Sequence, residues 1–366
     1  MKERRGGGSL RALFRILVLI SIFLALGFYI DIGRNEKGEI LVNQENTQPG
    51  AIKDISNNAN NLSSNTGFPE KGLVSFIGKS AAELKESLGA PSRIDPSFYG
   101  YEWWIYNKSG TEYIQAGVSK NKVVSLFATG EDADIYPFKI GQPIGELYAS
   151  VFFETDFNLK VKDSSYRFEL SEDDLNTRPL VMVGEYYAQL NIDRFTGTLS
   201  SVRVMDAATL IKLRPYEMVY RGELLEPPLA SPAFEEDVER AKEKQILDLT
   251  NVIRVRHHLQ PLKWDDMTAA AAFAHSKDMY ESNDFSHTSK TYGDLSARLE
   301  AGEVSYEAAG ENIAANYTDA PAVVEGWLNS KGHRDSLLNE EFTHLGVGVY
   351  KKHYTQNFIK KADGET

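Results

Sequence analysis

Two strand-like runs near the C-terminus, the apolar 345–350 and the more polar 354–359, are separated only by Lys351, Lys352 and His353. Runs of that length joined by so short a polar link predict a β-hairpin. Three helices are predicted ahead of it. Residues 235–258 place Val238, Ala241, Gln245, Leu249 and Val252 or Ile253 on one face. A second helix is capped by Asp265 or Asp266 and runs through Met267, Ala270, Ala271, Ala274 and Asp278. Its inner face is alanine, which lets another element approach closely. The third, 321–330, opens on Pro321, a residue suited to a first helical turn. This part of the chain therefore has to lay helices against an antiparallel pair.

Everything upstream hangs on that frame. The 366-residue chain is long enough for two cored domains plus appendages. At 42% apolar and 25% charged residues it is not a disordered chain. A net charge of −12 argues against nucleic acid as a partner, since phosphate binding needs a basic surface. No cysteine is present, which removes disulfides, thiolate metal sites and cysteine nucleophiles together. At the N-terminus Lys2, Arg4, Arg5, Arg11 and Arg15 precede the uncharged run 16–30. Segment 1–32 therefore reads as a membrane anchor, entering the bilayer through residues 10–30 with its basic end in the cytoplasm. Cleavage as a signal peptide, with secretion, is the alternative; Gly27-Phe28-Tyr29-Ile30 offers no small-x-small cleavage site.

Residues 33–70 are rich in Asn, Ser and Gly and read as a flexible linker. From 71 to 225 an α+β domain of two similar units is expected. Ile77-Gly78 followed by Glu83-Leu84 returns at the same spacing as Ile140-Gly141 followed by Glu146-Leu147. Ser80 and Gly89 cap a first helix, and strands are predicted at 101–106, 113–118 and 122–127. Further strands are predicted at 166–170, 180–183, 186–192 and 199–204. The aromatics Phe98, Tyr99, Tyr101, Trp103, Trp104 and Tyr106 suit either a packed sheet or a binding face. Gly78-Lys79-Ser80 lacks the upstream glycine of a phosphate loop. The proline-rich stretch 226–234 reads as a second linker, leaving 235–366 as the C-terminal domain.

Five of the seven histidines fall between His275 and His353. His287, Glu311, His333 and His353 come from four separate segments, and no pair has the spacing of a helical metal motif. Imidazoles and a carboxylate brought together in a cleft suit Zn²⁺ or an ordinary hydrogen-bonded cluster. In Gly310-Glu311-Asn312, read as a turn, Asn312 is expected to cap a helix and Glu311 to pair with His287. Along the last strand Thr355 shares a face with His353, while Tyr354 and Gln356 point the other way.

These residues resemble a family. Phe285-Ser286-His287, Gly310-Glu311-Asn312-Ile313, Trp327-x-x-Ser330-x-Gly332-His333-Arg334, Leu345-Gly346-Val347-Gly348 and Tyr354-Thr355-Gln356 are similar, in this order, to the bacterial branch of the CAP superfamily of cysteine-rich secretory, antigen 5 and pathogenesis-related 1 proteins. Asn251-x-x-Arg254 and Pro261-Leu262-Lys263-Trp264 extend the match back to about residue 235. The region before it resembles the CAP-associated N-terminal domain. The resemblance implies an α-β-α sandwich around an antiparallel sheet, with a cleft lined by two histidines and two glutamates. His287, Glu311 and His353 match three of these positions. The second glutamate position is Ser330 here, and His333 follows it closely enough to line the same cleft.

Three functions follow. One is a membrane-anchored extracellular binding module whose cleft takes a small apolar or cell-wall ligand, or a surface protein. Another is a hydrolase or peptidase, with His287 and His353 holding a divalent metal such as Zn²⁺ and Glu311 as general base; Ser330 as a nucleophile is better read as a turn residue. The third is a structural or regulatory surface protein. No Ser-His-Asp or Cys-His pattern can be placed.

Overall fold

The computed structural model describes residues 41–43 and 68–361. The expected anchor at 10–30 lies outside the described residues, as does most of the 33–70 linker. Among the described residues no helix is long and apolar enough to cross a membrane.

The N-terminal domain contains β1 Leu41–Asn43, α1 Ala81–Leu88, β2 Arg93–Asp95, β3 Glu102–Tyr106, β4 Tyr113–Ser119 and β5 Lys122–Thr129. It continues with α2 Ile144–Ser150, β6 Asp156–Val161, β7 Ser164–Glu169, α3 Glu172–Thr177 and β8 Leu180–Val183. β9 Tyr186–Asp193, β10 Thr198–Met205, α4 Ala207–Leu213 and β11 Glu217–Arg221 complete it. Seven strands form one sheet in the order β2-β3-β4-β5-β10-β9-β8, and β1-β11-β7-β6 form another. Within the stretch read as linker, β1 pairs in parallel with Met218–Tyr220. The open edge of β11 supplies backbone partners there, which composition alone does not reveal.

The two-unit repeat is present in the backbone. Gly78 donates to Val123 O at 2.8 Å and Lys79 O accepts from Val123. Gly141 donates to Leu199 O at 2.8 Å and Gln142 O accepts from Leu199. Both glycines sit at positive φ, 82° and 81°, where a side chain is disfavoured. Val123 and Leu199 lie on β5 and β10, the neighbouring strands at which the two halves meet. Leu84 and Leu147, the matched leucines, are both fully buried. Ser80 forms a capping box with Glu83 at the start of α1, and Gly89 ends it.

The C-terminal domain comprises α5 Pro232–Arg256, β12 Lys263–Trp264, α6 Asp266–Ser282, α7 Leu295–Ala301 and β13 Ala308–Ala315. α8 Ala320–Leu328, α9 Lys331–Leu337, β14 His344–Tyr350 and β15 His353–Lys360 follow. The sheet order is β12-β14-β15-β13, antiparallel except for the short β12–β14 pair. α5 begins at Pro232, inside the expected linker, because Ser231 caps it and proline fits the first turn. α9 has no counterpart in the sequence reading.

Alternation along β15 sorts its neighbours as expected. Tyr354 Oη accepts from Lys242 Nζ at 3.0 Å, and Gln356 Nε2 donates to Thr250 Oγ1 at 2.9 Å, both partners on α5. Thr355 Oγ1 meets Ser276 Oγ of α6 at 2.8 Å on the opposite face. The sheet is thus sandwiched between α5 and α6. The buried face of α6 is Thr268, Ala269, Ala271, Ala272, His275, Ser276 and Met279, whereas Met267 is exposed. The alanine run offers no period by which to choose a face. Gly346 and Gly348 of β14 make the choice, because a Cβ on either would stand 2.2 Å or 2.0 Å from α6 backbone nitrogens.

Residue alternation also joins the domains. Ile114, Ala116, Leu126 and Ala128 face a core beneath α1 and α2. Trp103, Ile105, Tyr113 and Phe127 belong to a second core, which continues through Ile246, Leu249 and Trp327 of the C-terminal domain. Tyr99, Tyr101 and Trp103 are therefore interior aromatics of the domain junction. Gln115 in the same face donates to Gln245 of α5 at 3.2 Å.

Gly348→Ala is expected to force α6 off β14, with a loss of stability of about 3 kcal/mol, the upper range for an overpacked core. Urea unfolding of the variant beside the parent measures it; a change below about 0.5 kcal/mol would contradict this close approach.

Candidate functional site

The site is built around Glu311. It lies inside β13, so Gly310-Glu311-Asn312 is extended strand and not the turn expected from sequence. Asn312 consequently caps no helix; its Nδ2 donates to His333 O at 3.1 Å and to Gln356 Oε1 at 3.3 Å. Strand alternation turns Glu311 to the α6 side, where its carboxylate is 4% exposed. A carboxylate so buried needs a counter-charge. Arg298 of α7 supplies it, with Nη2 2.5 Å from Oε2. His287, on the loop before α7, places Nδ1 2.9 Å from Oε1. Arg298 Nη1 also donates to His287 O at 2.9 Å and to Gly293 O at 2.8 Å, so one guanidinium holds both carboxylate and histidine backbone.

Protonation follows from this geometry. Burial pushes the Glu311 carboxyl upward, but the His287 hydrogen bond and the charge of Arg298 outweigh it and hold the group below its ordinary 4.5. An ionised carboxylate only accepts hydrogen bonds, so His287 carries a proton on Nδ1 and presents Nε2 on the other side of its ring. The His287 side chain is 57% exposed. His275 of α6 stands behind Glu311, with Nε2 3.9 Å from Oε2, and burial keeps it neutral despite the carboxylate. His333 of α9 is held through Nδ1 by Ser330 Oγ at 2.9 Å. Burial, and then proximity to His287, lower its pKa.

The structure thus brings His287, Glu311 and His333 together, with Ser330 orienting His333 and Asn312 tying β13 to α9. His353 does not join them. In the β13–β15 ladder Glu311 stands opposite Asn357, and His353 opposite Ala315. Four residues of strand separate the two positions, about 13 Å. The His353 ring packs on Tyr280 instead, centroids 5.7 Å apart. Thr355 is fully buried against Ser276 and lines no open cleft. Glu325 faces away, accepting from Ser200 Oγ and Ser201 Oγ at 3.1 and 2.6 Å. Arg298 and His275 are the site residues that sequence reasoning missed; neither has a local signal, because each earns its role through Glu311.

Among the described residues no group of three or more His, Asp or Glu side chains is arranged to hold a metal ion. Glu311 already spends one oxygen on Arg298 and the other on His287, leaving His287 and His333 as the available donors. That falls short of the three protein ligands usual for catalytic zinc, so the donor set does not fit a resident catalytic metal. The same ion pair makes Glu311 a poor general base, since its proton affinity is lowered.

Comparison with known proteins agrees with the fold. Residues 247–360 match the cysteine-rich secretory protein family (CAP), and residues 77–216 match the CAP-associated N-terminal domain. The chain is 57% identical over 294 residues to the uncharacterized membrane protein YlbC of Bacillus subtilis (strain 168), covering 80% of this chain and 85% of that one. The crystal structure of an extracellular protein containing a SCP domain from Bacillus anthracis is 46% identical, covers 80% and 96% of the two chains, and superposes with a TM-score of 0.77. A cysteine-rich secretory protein from Staphylococcus aureus is 27% identical with a TM-score of 0.70, covering 81% and 97%. The chain belongs to the CAP family, in the form that carries a CAP-associated N-terminal domain.

Glu311→Gln is expected to cost about 3–5 kcal/mol, because it leaves the buried Arg298 without a counter-charge. The folded pKa of Glu311 is lowered, so its contribution is present above 4.5 and lost as pH falls through the folded value. Urea midpoints between pH 7 and pH 3 should therefore decline less steeply in the variant than in the parent. Parallel acid limbs would contradict the ion-pair assignment.

Proposed function

We propose that the protein is a cell-surface binding module whose CAP cleft, lined by His287, His333 and Glu311, holds a small cell-wall ligand. The observation that carries this reading is the commitment of Glu311 to Arg298 and His287. It fixes an exposed imidazole at His287 for ligand contact and withdraws the Glu311 carboxylate itself from service as a general base. The aromatic rings Phe285 and Tyr292 lie on the same loop as His287, are 40% and 59% exposed, and offer apolar surface for the ligand's carbon skeleton. A location outside the membrane is supported by the basic-flanked apolar run at 10–30, and by relatives named as a membrane protein and as an extracellular protein. A metal-dependent peptidase at the same cleft is the alternative; it would need a third metal donor that the donor set lacks.

The deciding experiment is calorimetric titration of the full chain with a soluble disaccharide–tetrapeptide wall fragment and, separately, with Zn²⁺. Saturable binding of the fragment, weakened about tenfold or more by His287→Ala (~1.4 kcal/mol) and unaffected by His353→Ala, is the expected result. Fragment binding that is absent, or indifferent to His287, would refute the reading. Stoichiometric Zn²⁺ binding lost in His287→Ala would replace it with the metal alternative.

A further inference from the structure

α9 brings His333 to the cleft, yet several of the groups that hold its first turn belong to the other domain. Arg334, the next residue, reaches Asp193 at the end of β9 with both terminal nitrogens: Nη1 to Oδ1 at 3.0 Å and Nη2 to Oδ2 at 2.9 Å. The Asp193 side chain is 1% exposed. The same guanidinium donates to Leu328 O at 3.1 Å and lies 4.9 Å over the ring of Phe195, in the turn after β9. Just ahead of α9, Asn329 Nδ2 donates to Ile192 O at 2.9 Å while its Oδ1 accepts from Arg194 N at 2.8 Å. One turn earlier, Glu325 takes the Ser200 and Ser201 hydroxyls of β10. Residues 325, 329 and 334, which bracket Ser330 and His333, are all gripped by the β9–β10 hairpin.

Support from within the CAP domain comes at both ends of the helix. Arg254 Nη1 donates to Leu337 O at 2.9 Å at its far end, and Asn312 reaches the His333 carbonyl. A helix spanning only Lys331–Leu337 is too short to define its own position. A charge-assisted hydrogen bond from Nη1, backed by the ion-pair contact of Nη2, holds Arg334 more firmly than a single neutral bond would.

We infer that Asp193, with Phe195 behind it, is a positioning residue for the CAP cleft: through Arg334 and Asn329 the N-terminal domain sets where His333 stands relative to His287. The N-terminal domain is then a working part of the cleft. This rests on the reading that His333 lines the ligand site, but the latch itself is testable with no ligand present.

The test is hydrogen–deuterium exchange on the full chain, together with imidazole ¹⁵N spectra, for the parent, Asp193→Asn and Asn329→Ala. In Asp193→Asn, amides of residues 330–335 should exchange roughly tenfold faster, with α6 and the β14–β15 hairpin unchanged. The His333 ring should lose the signature of its Ser330 hydrogen bond while His287 keeps that of Glu311. Asn329→Ala leaves no buried charge unpaired, so it decides the matter if Asp193→Asn does not fold; it should move the same peptide in the same direction. Unchanged protection at 330–335, or loosening shared equally by α6 and the hairpin, would overturn the inference. A latch that behaves as expected beside a cleft that takes no wall fragment would remove the proposed ligand and leave the latch standing.

Discussion

Both domains depend on one shared face. The seven-stranded sheet covers one side with its own helices α1 and α2, while its other side is covered jointly by its own α4 and β6–β7 and by α5 and α8 of the following domain. Tyr113, Phe127 and Trp103 would stand in water without them, and so would Ile246 and Trp327. Polar groups inside this junction are paired across it, as Arg203 is with Asp319 at 2.9 Å with side chains 3% and 4% exposed. Buried charges of this kind contribute little net stability when paired and cost several kcal/mol when separated. They fix how the two halves meet.

That rigid junction matters because the cleft sits on a short helix. β13 is an edge strand and presents Glu311 from a well-ordered sheet, with α7 bringing Arg298 from one side. His287 is held on its loop by the same arginine. Only His333 comes from an element that its own domain does not fully hold. The hairpin of the N-terminal domain closes that gap, which gives a physical reason for the two domains to occur in one chain.

The electrostatic state of the cleft follows from the same packing. Burial alone would make Glu311 a protonatable acid, yet Arg298 and His287 reverse the effect. His275 and His333 are kept neutral by burial. The result is a neutral imidazole pair beside a locked carboxylate. In that state the Glu311 carboxylate takes up a proton poorly.

The sequence by itself determined what is local. Caps marked the ends of α1 through Ser80 and Gly89, and two strand-like runs with a short polar link marked β14 and β15. The matched Ile-Gly and Glu-Leu pairs announced a repeat that the backbone bonds of Gly78 and Gly141 reproduce. Motif order pointed to the family and to His287 and Glu311 as partners. Tertiary structure alone decided the rest, because those choices depend on what lies across a sheet or a domain boundary. Gly346 and Gly348 picked the buried face of α6 from an alanine run that had no face of its own. Ladder register moved His353 four residues along the sheet from Glu311. Arg298 and Asp193 acquired their roles from partners distant in the chain, and no periodicity, cap or spacing around either residue records a contact made only on folding.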